Sequence, residues 1–384
     1  MRAVDPELPA LARLGIVGAG QIARMTYQAA LKLGITPRLL AERLDDSAAL
    51  VASDVVVGHP DSVAGFAETC GVLTFEHERL DVGLLERLEA SGRVIRPGTR
   101  TIRAAFDKIH QRRVLTNRGF AVPPFAEITG PDDVFDFAGV FDWPIVLKTA
   151  RARGQDDKGV WIVENQGEAF RVLNERRGSR MLAEAFVAVA KELVVLLVRR
   201  PGGHIRVYPV AQVTNVDGVC REIVAPAPVA PAVAEHARTL ARRIADELDT
   251  VGVLAVELFL TADGLLVNEL AARPHNAGHF TIEGTPTSQF ENHIRAVLDL
   301  PLGPTWPNSP AAATVNVIGG LEHADPSASL YEALSVEGAH VHLYGKRTGP
   351  GRKLGHVTAL GSDIDQALEV ARRAESALLG RRAW

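Results

Sequence analysis

A chain of 384 residues, 47% hydrophobic and 23% charged, has material for two or three domains with real cores and the balance of an ordinary soluble globular protein. Its formal net charge of −4 argues against a nucleic-acid partner, so any anionic ligand must be held by local basic clusters. Cys70 and Cys220 are isolated and make no metal-ligand spacing; with no secretory signal and no apolar run of about 18 residues, the expectation is a cytoplasmic protein away from membranes.

After a loose leader, Leu14 to Val17 reads as a buried strand running through Gly18-Ala19-Gly20 into a helix that ends near Leu33. A second strand, Pro37 to Ala41, ends at Glu42, about 20 residues beyond Gly20, close to the spacing of a dinucleotide fingerprint. A nicotinamide-dependent oxidoreductase built on Gly18, Gly20 and Glu42 is therefore one reading. Further strands fall at Asp54 to Val57 and Gly71 to Phe75, the latter leading into Glu76 and His77. Carboxyl ends of parallel strands are where α/β sheets bind ligands, so Glu76 and His77 are placed to meet whatever sits on the glycine turn. The plainer alternative is that Glu76 caps the next helix, Asp81 to Ala90. Arg93 to Pro97 closes a domain of residues 1–100.

From Thr101 to Arg118 the pattern is a single basic helix carrying Lys108, Arg112, Arg113 and Arg118, stopped by Gly119. Pro144 to Lys148 is a strand with a lysine at its end, followed by a polar loop and the returning strand Val160 to Val163. A lysine there beside a flexible basic loop suits a triphosphate, Lys148 acting as a point charge; a solvated hairpin tip is the plain alternative. Helix Glu168 to Arg176 leads to Met181–Val187 and then to Glu192 on the strand through VVLLV. That strand offers backbone to a purine and Glu192 to ribose hydroxyls. Strands at His204 to Val213 and Val219 to Val224 and a helix at Pro231 to Leu248 follow.

The most informative stretch is Val253 to His279. Two apolar runs, each carrying one carboxylate, flank Thr261-Ala262-Asp263-Gly264 and read as a β-hairpin. If Thr261 pairs with Leu265, Glu257 falls opposite Glu269 on the same face. Opposed like charges are destabilising and must be compensated. Because hard divalent ions take oxygen ligands and keep phosphates as partners, the hairpin reads as a platform for Mg2+ and a nucleotide. Bridging by arginines such as Arg273, or a wet face, is the alternative. His275 and His279 are four apart, but Pro274 and Gly278 argue against a helix, and a polar anion-binding loop fits better than zinc. Helix Ser288 to Leu298, strands at Thr314 to Ile318 and His340 to Tyr344, a basic turn at 345–356 and an amphipathic helix from Ile364 to about Leu378 complete the chain.

These residues in this order, above all NELAARPHNAGHFT at 268–281 with SQFENH from 288 and GRKLGH at 351–356, resemble the ATP-grasp superfamily and, within it, the carboxyaminoimidazole ribonucleotide synthetases of purine synthesis. The resemblance covers nearly the whole chain. It implies an α/β and α+β chain: a Rossmann-like pre-ATP-grasp domain at 1–100, an ATP-grasp domain at 101–300 with a lid at about 119–185, and a small β-containing domain at 301–384, in a homodimer. It also implies an ADP-forming ligase using ATP, Mg2+ and bicarbonate on a ribonucleotide amine. Carried over, Lys108, Lys148 and Asn268 would meet ATP, the backbone of Glu184, Phe186 and Val187 adenine, and Glu192 ribose. Glu257 and Glu269 would hold Mg2+. Arg273, His275 and Asn276 would line the bicarbonate and transfer site. Gln21, Glu76 and Asp156 would face the ribonucleotide, and Lys346, Arg352 and Lys353 its phosphate. Two departures fall on the acceptor side: Gln155 stands where the family has a tyrosine, and Gly349 where it has an arginine. A related ligase with a different amine is the alternative they favour.

Overall fold

The computed structural model describes residues 13–59, 62–77, 80–151, 159–216, 218–320 and 325–380. Short apolar strands alternating with helices give a parallel sheet, because parallel neighbours must be joined by crossovers. Strands β1 (Leu14–Val17), β2 (Arg38–Ala41), β3 (Val55–Val57), β4 (Val72–Phe75) and β5 (Val94–Ile95) pair in the order β3-β2-β1-β4-β5. Helices α1 (Gln21–Lys32), α2 (Val63–Glu68) and α3 (Val82–Ala90) connect them. The strand order reverses between β1 and β4, so their carboxyl ends frame a crevice that holds the Gly18–Gly20 turn and Glu76.

The basic helix expected over Thr101 to Arg118 is two helices, α4 (Thr99–Phe106) and α5 (Lys108–Asn117). Asp107 between them is extended (φ −106°, ψ 106°) and accepts from the His110 backbone N–H at 3.0 Å, restarting the helix as its N-cap. Gly119, with φ +74°, follows α5 and ends it. Next comes an antiparallel sheet, β6-β9-β7-β8, made of β6 (Phe125–Ile128), β7 (Ile145–Thr149), β8 (Val160–Val163) and β9 (Met181–Ala185). It is backed by α6 (Pro131–Phe141) and α7 (Gln166–Glu175), whose Val134, Phe137 and Val172 pack with Leu147 in one core.

The remaining strands, β10 (Lys191–Arg199), β11 (Ile205–Val207), β12 (Ala211–Val216), β13 (Val219–Ala225), β14 (Gly252–Thr261), β15 (Gly264–Ala271), β16 (Ala311–Ile318), β17 (Ala339–Leu343) and β18 (Lys353–Gly361), form one large sheet. Its order among the described residues is β15-β14-β10-β12-β13-β16-β18-β17, with β11 also on β10. Helix α8 (Pro231–Glu247) covers one face of β10 and β14. The other face lies under α9 (Thr281–Gly284) and α10 (Gln289–Val297), where Ala296 meets Val194 and Leu196. Burial on both faces is why VVLLV is continuously apolar instead of alternating.

The run expected at His204 to Val213 is two strands, since β11 pairs with the far half of β10 and β12 with the near half. The basic turn expected through His356 ends earlier: Lys353 already belongs to β18, which the sequence reading missed. Held between β16 and β17, β18 is buried on both sides, and its Gly355 and His356 interrupt any strand-like alternation. Helices α11 (Leu330–Leu334) and α12 (Ile364–Leu378) complete the fold, α12 with its expected bounds. Because β13 pairs with β16, the strands after residue 300 continue the same sheet. Among the described residues no helix is long and apolar enough to cross a membrane.

Candidate active site

The β14–β15 hairpin opposes Glu257 and Glu269 by a route other than the expected one. Thr261 pairs with Gly264 and Leu260 with Leu265, so the loop is two residues, and this register alone would set Glu257 against Asn268. A bulge between Glu257 and Leu258 shifts the pairing by one. The extra residue is Asn268, and its amide ends on the same side: Nδ2 donates to Glu257 Oε2 at 3.3 Å, while Oδ1 accepts from Lys148 Nζ at 3.3 Å.

Cations surround this face. Lys108, the first residue of α5, reaches Glu269 at 2.5 Å. Lys148, at the end of β7, contacts Glu184 at 2.6 Å, and Arg112 approaches the other oxygen of Glu184 at 2.6 Å. Lys108 and Arg112 share one face of α5, four residues apart. Burial disfavours the charge on Glu184, yet Lys148 and Arg112 hold its carboxyl below the ordinary range; burial in turn pulls the Lys148 ammonium down. Burial and then the Glu269 charge push Glu257 upward. Glu269, against its own burial, is held down by Lys108, with Lys148 and Arg112 behind. The pair is thus an electrostatic conflict that Lys108 resolves only on one side.

On the other side stands the loop after β15. His275 Nε2 lies 3.4 Å from Glu257 Oε1, and His275 Nδ1 accepts from Ala277 N at 3.3 Å, which fixes the tautomer with the proton on Nε2. Burial, then Arg273 and Lys353, keep this imidazole neutral, its pKa lowered to about 3. The loop ends in one turn of 3-10 helix, Asn276–Gly278, in keeping with the expectation of no regular helix. Glu192, Asn215, Glu257, Asn268, His275, Asn276 and Lys353 line one cavity of about 260 Å³. Glu192 is steadied by Asn215 Nδ2, which donates to it at 2.6 Å. Phe186 and Val187 follow β9, Phe186 exposed, while the Glu184 backbone sits within β9 between β6 and β7.

A second cavity, about 400 Å³, lies at the carboxyl ends of β1, β2 and β4 and is lined by Gly18, Gly20, Glu42, Glu76 and the cations Arg43, Lys346, Arg347 and Arg352. Gln21 enters through Lys346, whose ammonium donates to its Oε1 at 2.5 Å. Lys353, grouped with Arg352 in the sequence reading, lines the other cavity instead. At Gly349 the departure leaves four cations on this cavity, Arg43, Lys346, Arg347 and Arg352, beside Glu42, Asp45, Asp46 and Glu76, with Arg43 and Arg347 both paired to Asp45. Asp156 and Gln155 lie outside the described residues.

Glu76 does not cap α3; Asp81 does, accepting from Leu84 N at 3.1 Å. Glu76 instead caps α1, accepting from Gly20 N at 2.6 Å and Ala23 N at 3.2 Å. A Cβ on Gly20 would stand 2.6 Å from Glu76 Oε1, which is why this turn needs glycine. A dinucleotide pyrophosphate would meet a carboxylate where it needs free N–H groups, so the nicotinamide reading is withdrawn.

For Mg2+, the donors present fit: two hard carboxylates and an amide oxygen on one face, their mutual repulsion in want of a cation. Among the described residues no group of three or more His, Cys, Asp and Glu converges as for a resident ion. Two carboxylates suffice for a metal that arrives with phosphates. Sequence reasoning missed Arg112 as a site residue and expected backbone, not side-chain, service from Glu184. The four-residue spacing of Lys108 and Arg112 was the available signal.

Three family models match the chain: the ribonucleotide synthetase preATP-grasp domain at residues 11–106, the ATP-grasp domain at 113–290, and the phosphoribosylaminoimidazole carboxylase C-terminal domain at 312–370. Among curated relatives, the N5-carboxyaminoimidazole ribonucleotide synthase of Mycobacterium tuberculosis strain H37Rv is 44% identical, over 93% of this chain and 86% of its own length. That of Corynebacterium ammoniagenes is 39% identical, over 98% and 94%. Among solved structures, the Thermus thermophilus synthetase superposes with a TM-score of 0.86 at 37% identity, covering 97% of this chain and 99% of that one. The Aspergillus clavatus synthase in complex with ADP and 5-aminoimidazole ribonucleotide gives 0.87 at 29% identity, covering 96% and 99%.

Proposed function

Because the chain belongs to the N5-carboxyaminoimidazole ribonucleotide synthase family, we propose that it is an ADP-forming ligase that carboxylates the amine of 5-aminoimidazole ribonucleotide with ATP and bicarbonate. The observation that carries this reading is the Glu257–Glu269 pair, tied to Lys108 on one side and to the His275 loop on the other. One face serves phosphates and the other the group transferred.

A bicarbonate oxygen attacks the γ-phosphorus of ATP, and the bond to the bridging oxygen breaks to release ADP and leave carboxyphosphate. Bound Mg2+, held by Glu257 and Glu269, would supply charge neutralisation on the phosphates. Lys108 and Lys148 add fixed positive charge, with Lys148 oriented by Glu184 and Asn268. Phe186 and Val187 take the adenine end and Glu192 the ribose. The amine nitrogen then attacks the carboxyphosphate carbon; the bond to phosphate breaks, phosphate leaves, and the nitrogen gives up a proton, leaving a carbamate. Arg273, the Nε2–H of neutral His275, and Asn276 stabilise the anionic intermediate in a site that excludes water. Gln21, Lys346 and Arg352, with Arg43 and Arg347, hold the ribonucleotide phosphate, while Glu76 shapes the floor of that cavity. The working form is a cytoplasmic homodimer.

The test is ADP release from Mg-ATP and bicarbonate, with and without 5-aminoimidazole ribonucleotide. Strong stimulation with carbamate formed is expected. Turnover indifferent to the ribonucleotide would reject the acceptor while leaving the ATP chemistry standing.

A further inference from the structure

The transfer loop is short, lacks regular structure over Arg273–His275, and yet must place His275 and Asn276 accurately. What fixes it comes from another element. Gln289, the first residue of α10, is completely buried and meets the His275 peptide with both ends of its amide: Oε1 accepts from His275 N at 2.8 Å, and Nε2 donates to His275 O at 2.7 Å. Its own backbone N–H donates to Thr281 Oγ1 at 3.0 Å, and that hydroxyl donates to Gly278 O at 2.6 Å, so both ends of the loop are pinned to one helix start. A Cβ on Gly278 would stand 2.6 Å from the Gln289 amide carbon, although its backbone is not in the left-handed region. Gly278 is therefore glycine to admit the amide.

Resting on the carboxylation reading above, we propose that Gln289 is the positioning residue of the transfer site, gripping the His275 peptide so that the imidazole and Asn276 face the carboxyphosphate and not solvent. Of the side chains of this size, only an amide both accepts and donates in this way. Glutamate would set an oxygen against the His275 carbonyl, and methionine would keep the volume and lose both bonds. The grip acts at a distance: Gln289 holds His275, and His275 reaches Glu257. Displacements of about 1 Å in such a chain cost about 10²-fold in rate.

The experiment compares wild type with Q289M in full-length enzyme, reading carbamate formed and ADP released in the same reaction. Carboxylation is expected to fall about 10²-fold. The KM for ATP should hold, so that more ADP is released per carbamate formed. A loss of folded enzyme alone would lower both products in proportion, and an unchanged ratio would overturn the proposal. G278A attacks the same contact from the other side and covers the case in which Q289M folds poorly. It should reproduce the uncoupling, and it should add nothing to the defect of Q289A in the G278A/Q289A double variant, where the amide it displaces is already gone. Additive effects would count against the grip. A readout free of turnover separates this from the function itself: the His275 ring nitrogen shifts by NMR should report the Nε2–H tautomer in wild type and a mixture in Q289M. If wild type ignores the ribonucleotide but the tautomer still depends on Gln289, the acceptor assignment fails and the positioning role survives; a tautomer indifferent to Gln289 rejects that role.

Discussion

Glu269 faces Glu257 only because Asn268 is squeezed out of the ladder beside it. The bulge puts three oxygen-bearing side chains on one face where a regular ladder would have put two, and it places the pair within reach of Lys108 and His275. Glu269→Gln should lower ADP release by at least about 10²-fold, in line with the loss of a principal electrostatic group. Its thermal midpoint should fall modestly, because the charge that Lys108 holds in place is lost, and relief of the repulsion with Glu257 offsets only part of that. Activity assays alongside a melting curve check this; near wild-type turnover would defeat the metal assignment.

Arg112, Lys148 and Glu184 form a buried group with two cations and one anion. Glu184→Ala leaves both cations without their shared partner and should cost about 3–5 kcal/mol, the usual penalty for breaking a buried ion pair. Urea unfolding would measure it. Exposed pairs such as Arg38–Asp54 should contribute no more than about 1 kcal/mol by the same method.

His293 ties three elements together: Nε2 meets Thr74 Oγ1 at 2.7 Å, and Nδ1 accepts from Val253 N at 3.1 Å. Burial lowers its pKa to about 3 and also lowers those of His279 and His356 well below the ordinary 6.5. These rings stay neutral in the fold while the unfolded chain takes up protons below pH 6.5. Their stabilising effect is thus complete above that value and is lost as pH falls below it, for His293 down to about 3, at up to about 1.4 kcal/mol per pH unit for each ring. Melting temperatures between pH 7.5 and 4.5 should show the decline, and His293→Gln should make it shallower.

Gly20→Ala adds a methyl group within 2.6 Å of the Glu76 carboxylate, with no conflict in backbone angles to blame. The Glu76 cap on α1 must move, at a cost of about 1–3 kcal/mol. Gln21, next in sequence, should move with it and raise the KM for the ribonucleotide. Unfolding and steady-state kinetics on one preparation test both halves.

Much of this molecule was legible in its residues because the informative patterns were local. The Thr-Ala-Asp-Gly turn announced a hairpin, and a carboxylate within each apolar run announced an unusual face. The pairing came out right although the loop is a residue tighter than expected, because Asn268 absorbs the difference, and no local pattern marks a bulge. Arg112 looked like one more surface charge on a basic helix; its burial depends on Glu184, 72 positions away. Glu76 was open between two roles, and the structure supplied a third, since the cap it makes is on a helix that precedes it by more than 50 residues. Strand β18 was missed for the same reason: its stability comes from neighbours on both sides, which its own glycines and histidine do not advertise.

The pairing of β13 with β16 means that the region after residue 300 is not an appendage. Cutting the chain there would leave β13 with an open row of N–H and C=O groups, and β16 with another on the severed piece. Two such fragments, made separately, carry complementary raw edges. They should be insoluble apart and recombine when produced together.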